Sequence, residues 1–127
     1  MTASLTTALA LGSLLVLAPS SAMAVTLDDC AVWLQKLRGE ASGVQMSGAA
    51  AGDHRRDLLE HLDKAALPAD SKADSKDTAD ALRNVEEFRK RAARLTAEGR
   101  VSKQEGQRLD TLGDTYRHCV EQVQRKE

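Results

Sequence analysis

Beyond residue 25, apolar side chains recur at intervals of three and four, the period of helices that each bury one face. Leu27, Cys30, Ala31, Leu34 and Leu37 share the first stripe. Thr26-Leu27-Asp28-Asp29 opens it as an N-cap with an acidic residue three positions on, and Gly39 is read as its end. The connector from Glu40 to Gly52 is rich in Gly, Ala and Ser and reads as a flexible loop. A second helix from near Asp53 carries Leu58, Leu59, Leu62, Ala65 and Ala66. It must stop by Leu67, because Pro68 crowds helical backbone in the residue before it. The tandem Ala69-Asp70-Ser71-Lys72 and Ala73-Asp74-Ser75-Lys76 then reads as an exposed loop, two short copies being too few for a solenoid. In the third helix, expected to be capped by Asp77 or Thr78 with Asp80 in its first turn, Ala81, Val85, Phe88, Ala92 and Leu95 advance by 4, 3, 4, 3. That is the spacing of a bundle seam. Gly99 ends it, and Ser102-Lys103-Gln104-Glu105 is a capping box for a fourth helix. There Leu109, Leu112, Tyr116, Val120 and Val123 lie in a narrow arc with Cys119 at its edge.

Composition narrows the fold class. Trp33, Phe88 and Tyr116 are the only aromatic residues, so the core is built from Leu, Val and Ala. Strand formers are scarce. The expectation is an all-α protein, a small three- to four-helix bundle. The N-terminal stretch stands apart: Thr2 to Thr26 has no charged side chain, and Ala8 to Ala18 forms an apolar run. Pro19-Ser20-Ser21 breaks that run before Ala22-Met23-Ala24, an A-x-A cleavage site of the kind that ends a secretory signal. Residues 1–24 are read as a signal peptide, leaving Val25 as the mature N-terminus. The departure is the missing Lys or Arg ahead of the apolar run. An uncleaved anchor is the alternative, since the uncharged window is long enough to span a bilayer. Lipidation of Cys30 is disfavoured by the acidic Asp28-Asp29 before it. Residues 25–127 then form a single helical domain, with an N-terminal helix over 25–38, a loop over 39–53 and a helical core over 54–125.

Two cysteines far apart in an exported chain are expected to pair. Cys30 and Cys119 would join the first helix to the last. There is no C-x-x-C motif to make them a redox centre.

Charge excludes several partners. With 18 basic and 19 acidic residues the chain is nearly neutral, which gives no drive toward nucleic acid or anionic lipid. The basic residues also lack interleaved aromatics. No membrane association is expected after cleavage. The one concentration of positive charge is on the third helix: Arg83, Arg89, Lys90, Arg91 and Arg94. Glu86 and Glu87 precede Lys90 and Arg91 by four residues, which favours intrahelical pairs and a solvated face. Arg83, Lys90, Arg91 and Arg94 are nevertheless the candidate docking face for an acidic protein or wall polymer. Ring stacking on sugars has little support, Trp33 alone lying off the main stripe at the edge of the first helix.

Catalytic chemistry is harder to place. His54, Asp57 and His61 share one edge of the second helix, but two turns, roughly 10 Å, separate the histidines. Asp57 and His61 offer two ligands and no identifiable third. His118 lies opposite the apolar stripe of its helix and is expected in solvent. No G-x-S-x-G is present, and no serine has an arguable base.

The stretch Leu58 to Val123 resembles the FIMAH domain family, small helical modules of bacterial extracellular proteins. The matching residues are Leu58-Leu59-x-x-Leu62-x-x-Ala65, Ala81-x-x-x-Val85-x-x-Phe88, the joint Gly99-Arg100-Val101-Ser102 and the Leu-rich final helix. The Ala-Asp-Ser-Lys repeat and the Cys30 helix depart from the family pattern. The resemblance implies a non-catalytic accessory role and carries over no catalytic residue. The expectation is therefore a secreted, non-catalytic interaction module with no cofactor and no metal. Its partner would be an extracellular protein or wall polymer. A small secreted hydrolase or metal-dependent enzyme and a structural envelope protein are the alternatives.

Overall fold

In the computed structural model, which describes residues 26–68 and 74–125, four helices carry almost the whole chain. Residues 1–25, with the expected cleavage junction at Ala24–Val25, and Ala69 to Ala73 of the tandem repeat lie outside the described residues. The order is α1 (Leu27–Gly43), α2 (Ala51–Lys64), α3 (Ser75–Ala97) and α4 (Lys103–Arg125), with no strand among the described residues.

The starts of α1, α3 and α4 each have a local cause. Thr26 accepts a hydrogen bond from the Asp29 amide, and the Asp29 carboxylate accepts one from the Thr26 amide. Asp74 and Asp77 exchange the same pair at the head of α3. The cap of α3 is thus Asp74, three residues before the expected Asp77, and it comes from the second repeat copy. Thr78 instead turns inward, fully buried, with its hydroxyl donating to the Ser75 carbonyl at 3.0 Å. At the other end, Gly99 takes a left-handed backbone (φ 81°), its amide reaching the Thr96 carbonyl and that of Arg100 reaching Leu95. Left-handed geometry here costs a glycine nothing and satisfies the last carbonyls of α3. Val101 then plugs the core, and Ser102 caps α4.

Two boundaries differ from expectation. Gly39 does not end α1; it sits on the outer face with open space around its Cα, and the helix runs to Gly43. The reason is packing: Cys30, Leu34, Leu37 and Ala41 continue one buried seam past it, while Ala31 is exposed. The connector to α2 therefore shrinks to residues 44–50, and α2 opens at Ala51 from a left-handed Ala50 (φ 63°). This connector is tied down. The Ser47 amide donates to the Arg100 carbonyl at 3.0 Å, the Arg100 guanidinium donates to the carbonyls of Ser47 and Ala49, and Arg55 donates to that of Val44.

Contacts run α1–α2, α2–α3, α3–α4 and α1–α4, so the helices form a four-cornered ring. Arg38 meets Asp63, Asp57 meets Arg91, Arg89 meets Asp110 and Cys30 meets Cys119, so every neighbouring pair is antiparallel. Leu58, Leu62, Val85, Phe88, Leu109 and Val120 fill the axis. Tyr116 crosses it and donates its hydroxyl to the Ala65 carbonyl at the end of α2, at 2.5 Å. Burial pushes the Tyr116 phenol well above its ordinary pKa. Gly113, not Leu112, holds the inward position on the α4 seam; Leu112 is only half-buried.

That glycine and Gly106, one heptad earlier, let α3 and α4 approach closely. A Cβ on Gly106 would overlap the Thr96 hydroxyl, which is itself fixed by a 2.8 Å hydrogen bond to the Ala92 carbonyl. Gly106→Ala is expected to destabilise by about 1 kcal/mol net, overpacking outweighing the gain in helix propensity. Gly39→Ala has open space and should stabilise by up to about 1 kcal/mol. Urea unfolding of the two variants should give midpoint shifts of opposite sign.

Candidate functional site

Cys30 and Cys119 are joined as a disulfide, with a Cα–Cα distance of 5.5 Å. Cys30 belongs to the inward seam of α1, and Cys119 sits at the edge of the α4 arc. The bond therefore fastens the first helix to the last at the end where α1 begins. A disulfide fits an oxidising compartment. Among the described residues no helix is long and apolar enough to cross a membrane.

The outer face beside this bond carries a concavity. A depression of about 540 Å³ lies between α1 and α4, with Val32, Trp33 and Cys119 as its apolar lining and Thr115, His118 and Gln122 along one wall. Val32 is 55% exposed, the one large apolar side chain left so exposed among the described residues. Trp33 packs partly against the core, and the Lys36 ammonium lies 5.0 Å from its ring centroid. One turn further along both helices a second depression of about 450 Å³ is lined by Lys36, Gly39, Thr111 and Leu112. The ion pair Glu40–Arg108, at 3.2 Å, borders it. Gly39 thus has a visible consequence: without a side chain, it leaves this stretch of α1 low.

Arg83, Lys90, Arg91 and Arg94 share one side of α3, with Arg83, Lys90 and Arg94 exposed on it, while Arg89 faces away from them. Positions two apart on a helix point to different sides, and Arg89 and Arg91 diverge accordingly. Arg89 bridges to α4, donating to Asp110 at 3.0 Å and to Glu86 at 3.1 Å. Arg91 bridges to α2, donating to Asp57 at 2.9 Å. Arg83 pairs with Asp80 at 2.9 Å, and Lys90 lies 3.9 Å from Glu87. Of the expected intrahelical pairs, Glu87–Arg91 is present at 3.8 Å. Glu86 instead turns to Arg89 and, at 3.7 Å, to Arg117 of α4. Arg94 alone of the five makes no ion pair among the described residues. It lines a shallow recess of about 220 Å³ with His54, Asp57, Arg91 and Glu98.

That recess also shows why Asp57 and His61 make a poor metal pair. His61 Nε2 lies 3.8 Å from Asp57, but the other Asp57 oxygen already holds the Arg91 guanidinium. Among the described residues no three His, Cys, Asp or Glu side chains converge as a metal site. His61 is more enclosed than a surface residue, with 16% of its side chain exposed and Nδ1 unpartnered among the described residues. His118 is exposed as expected, its Nδ1 3.0 Å from the Asp114 carbonyl.

Asp114 anchors the α3–α4 ion network. Hydrogen bonds from Arg117 hold its carboxyl below the ordinary value of 3.8, with the charges of His118 and Arg89 adding to the effect. A carboxylate depressed in the folded state contributes stability that is fully present above its unfolded pKa and is lost as pH falls through the folded one. Asp114→Asn should therefore flatten the loss of stability below pH 3.8 and leave its shape above that unchanged. Urea midpoints measured across the acid range check this; the effect is modest because the pair is solvent-screened.

No family model matches the chain, and neither a curated protein nor a solved structure matches it. The sequence alone does not mark the α1–α4 face, because its residues, at 32, 33, 111, 115, 118 and 122, are mostly polar and come from opposite ends of the domain. The one available signal was Trp33 and Val32 standing beside the buried stripe rather than on it.

Proposed function

We propose that the protein is an exported, non-catalytic interaction module that docks a protein or cell-wall component on its α1–α4 face. The observation carrying this is the pair of aligned depressions with exposed Val32 beside half-buried Trp33. Ligand sites are typically concave, with apolar and aromatic lining and a few polar groups, which is the composition of this face. The disulfide and the signal-like leader support export, and the likeness to FIMAH modules points to the same accessory role. The basic side of α3 is a weaker docking face, because Arg83, Lys90 and Arg91 have acidic neighbours of their own.

Bait experiments with cell-wall extract separate the two faces. Wild-type protein and Arg94→Glu should retain the same component, and Val32→Glu should lose it while keeping its melting temperature. Retention by Val32→Glu together with loss by Arg94→Glu would move the docking site to α3.

A further inference from the structure

We propose that the Trp33 depression binds an N-acetylated hexosamine unit of a glycan. This rests on the α1–α4 face being the binding surface and gives that surface a chemical class of ligand. The volume, about 540 Å³, lies within the range of small-molecule pockets, roughly 300–1,000 Å³. It is lined by one aromatic ring, one exposed aliphatic side chain and several groups that donate or accept hydrogen bonds, a set neither purely apolar nor charged.

Each element has a counterpart on the sugar. The electron-rich face of an indole attracts the weakly positive C–H bonds on a pyranose face, and its apolar body covers the ring. The Lys36 ammonium lies 5.0 Å from the centroid of the same ring, so the sugar must use the part of the indole that lines this depression, away from that cation. Val32 offers an apolar contact for the acetamido methyl. The Gln122 amide supplies both a donor and an acceptor, matching the acetamido C=O and N–H. His118 engages Asp114 through Nδ1, which leaves Nε2 for a hydroxyl. The Thr115 hydroxyl donates to the Thr111 carbonyl at 3.0 Å, so its oxygen remains an acceptor. One Asp29 oxygen is used by the Thr26 amide and the other is left for a sugar hydroxyl. The bordering disulfide holds the two helices that supply these groups in fixed relation.

Trp33 is the only tryptophan in the chain, so its emission reports on this site alone. The disulfide-bonded protein should be titrated with chitotriose and with cellotriose, which differ at the acetamido groups. Chitotriose should shift Trp33 emission saturably, with cellotriose at least about tenfold weaker, as the loss of one or two good contacts implies. Gln122→Ala should weaken chitotriose binding by about tenfold, and Arg94→Ala should not change it. An unresponsive Trp33, equal response to the two sugars, or a Gln122→Ala variant that binds like wild type would each overturn the assignment. Loss of a wall component by Val32→Glu, with no response to either sugar, would remove this inference and leave the α1–α4 docking face intact.

Discussion

Serine at Cys30 or at Cys119 should lower the stability of the domain by about 4 kcal/mol. The bond closes a loop across a sequence separation of 89 residues, and in the chain-entropy model long loops restrict the unfolded ensemble most. Domains of this size hold only about 5–15 kcal/mol in total, so the variant should approach the edge of folding at physiological temperature. Replacing both cysteines should cost no more than replacing either, since one bond is lost in each case. The result is read from urea midpoints of the three variants against the oxidised wild type. Mass spectrometry of the non-reduced protein should show a mass two hydrogens below that of the dithiol. A reduced protein as stable as the oxidised one would show that the helices hold without the staple.

Phe88→Ala should cost about 3–5 kcal/mol. The ring is fully buried in the middle of the α3 seam, with Val85 and Ala92 on either side of it in sequence spacing. It also lies against the side of α4 where Gly113 leaves room: a Cβ at that glycine would stand 3.8 Å from the ring. Truncation therefore removes apolar burial and opens a cavity between two helices that cannot collapse further without overlapping elsewhere. Arg94→Ala, exposed on the same helix, should change stability by less than about 0.5 kcal/mol. Circular dichroism melts of the two variants give the comparison directly.

The fold was legible because its seams are nearly uninterrupted. The positions Ala81, Val85, Phe88, Ala92 and Leu95 and the pairing of Cys30 with Cys119 are legible because the helical period acts locally and two lone cysteines can only join each other. Boundaries were less visible where glycine serves packing. Gly39 resembles a terminator in the sequence, yet Ala41 and Val44 beyond it are buried and draw the helix onward. Asp74 looked like part of a spacer because the repeat conceals the capping pair it makes with Asp77. The candidate site was the least legible element. Antiparallel packing brings Val32 and Trp33 beside Thr115 and Gln122, and no spacing rule within either helix encodes that meeting. The partners that Arg91 and Arg89 take, Asp57 and Asp110, sit on other helices, so no spacing within α3 encodes those pairs.

Photo-crosslinking residues placed singly at Val32, Thr111, Arg83 and Lys90 test the docking surface most directly in producing cells. Adducts with a wall component or protein should form from positions 32 and 111 and be absent from 83 and 90. Adducts confined to positions 83 and 90, or the same weak background from all four, would contradict docking on the α1–α4 face.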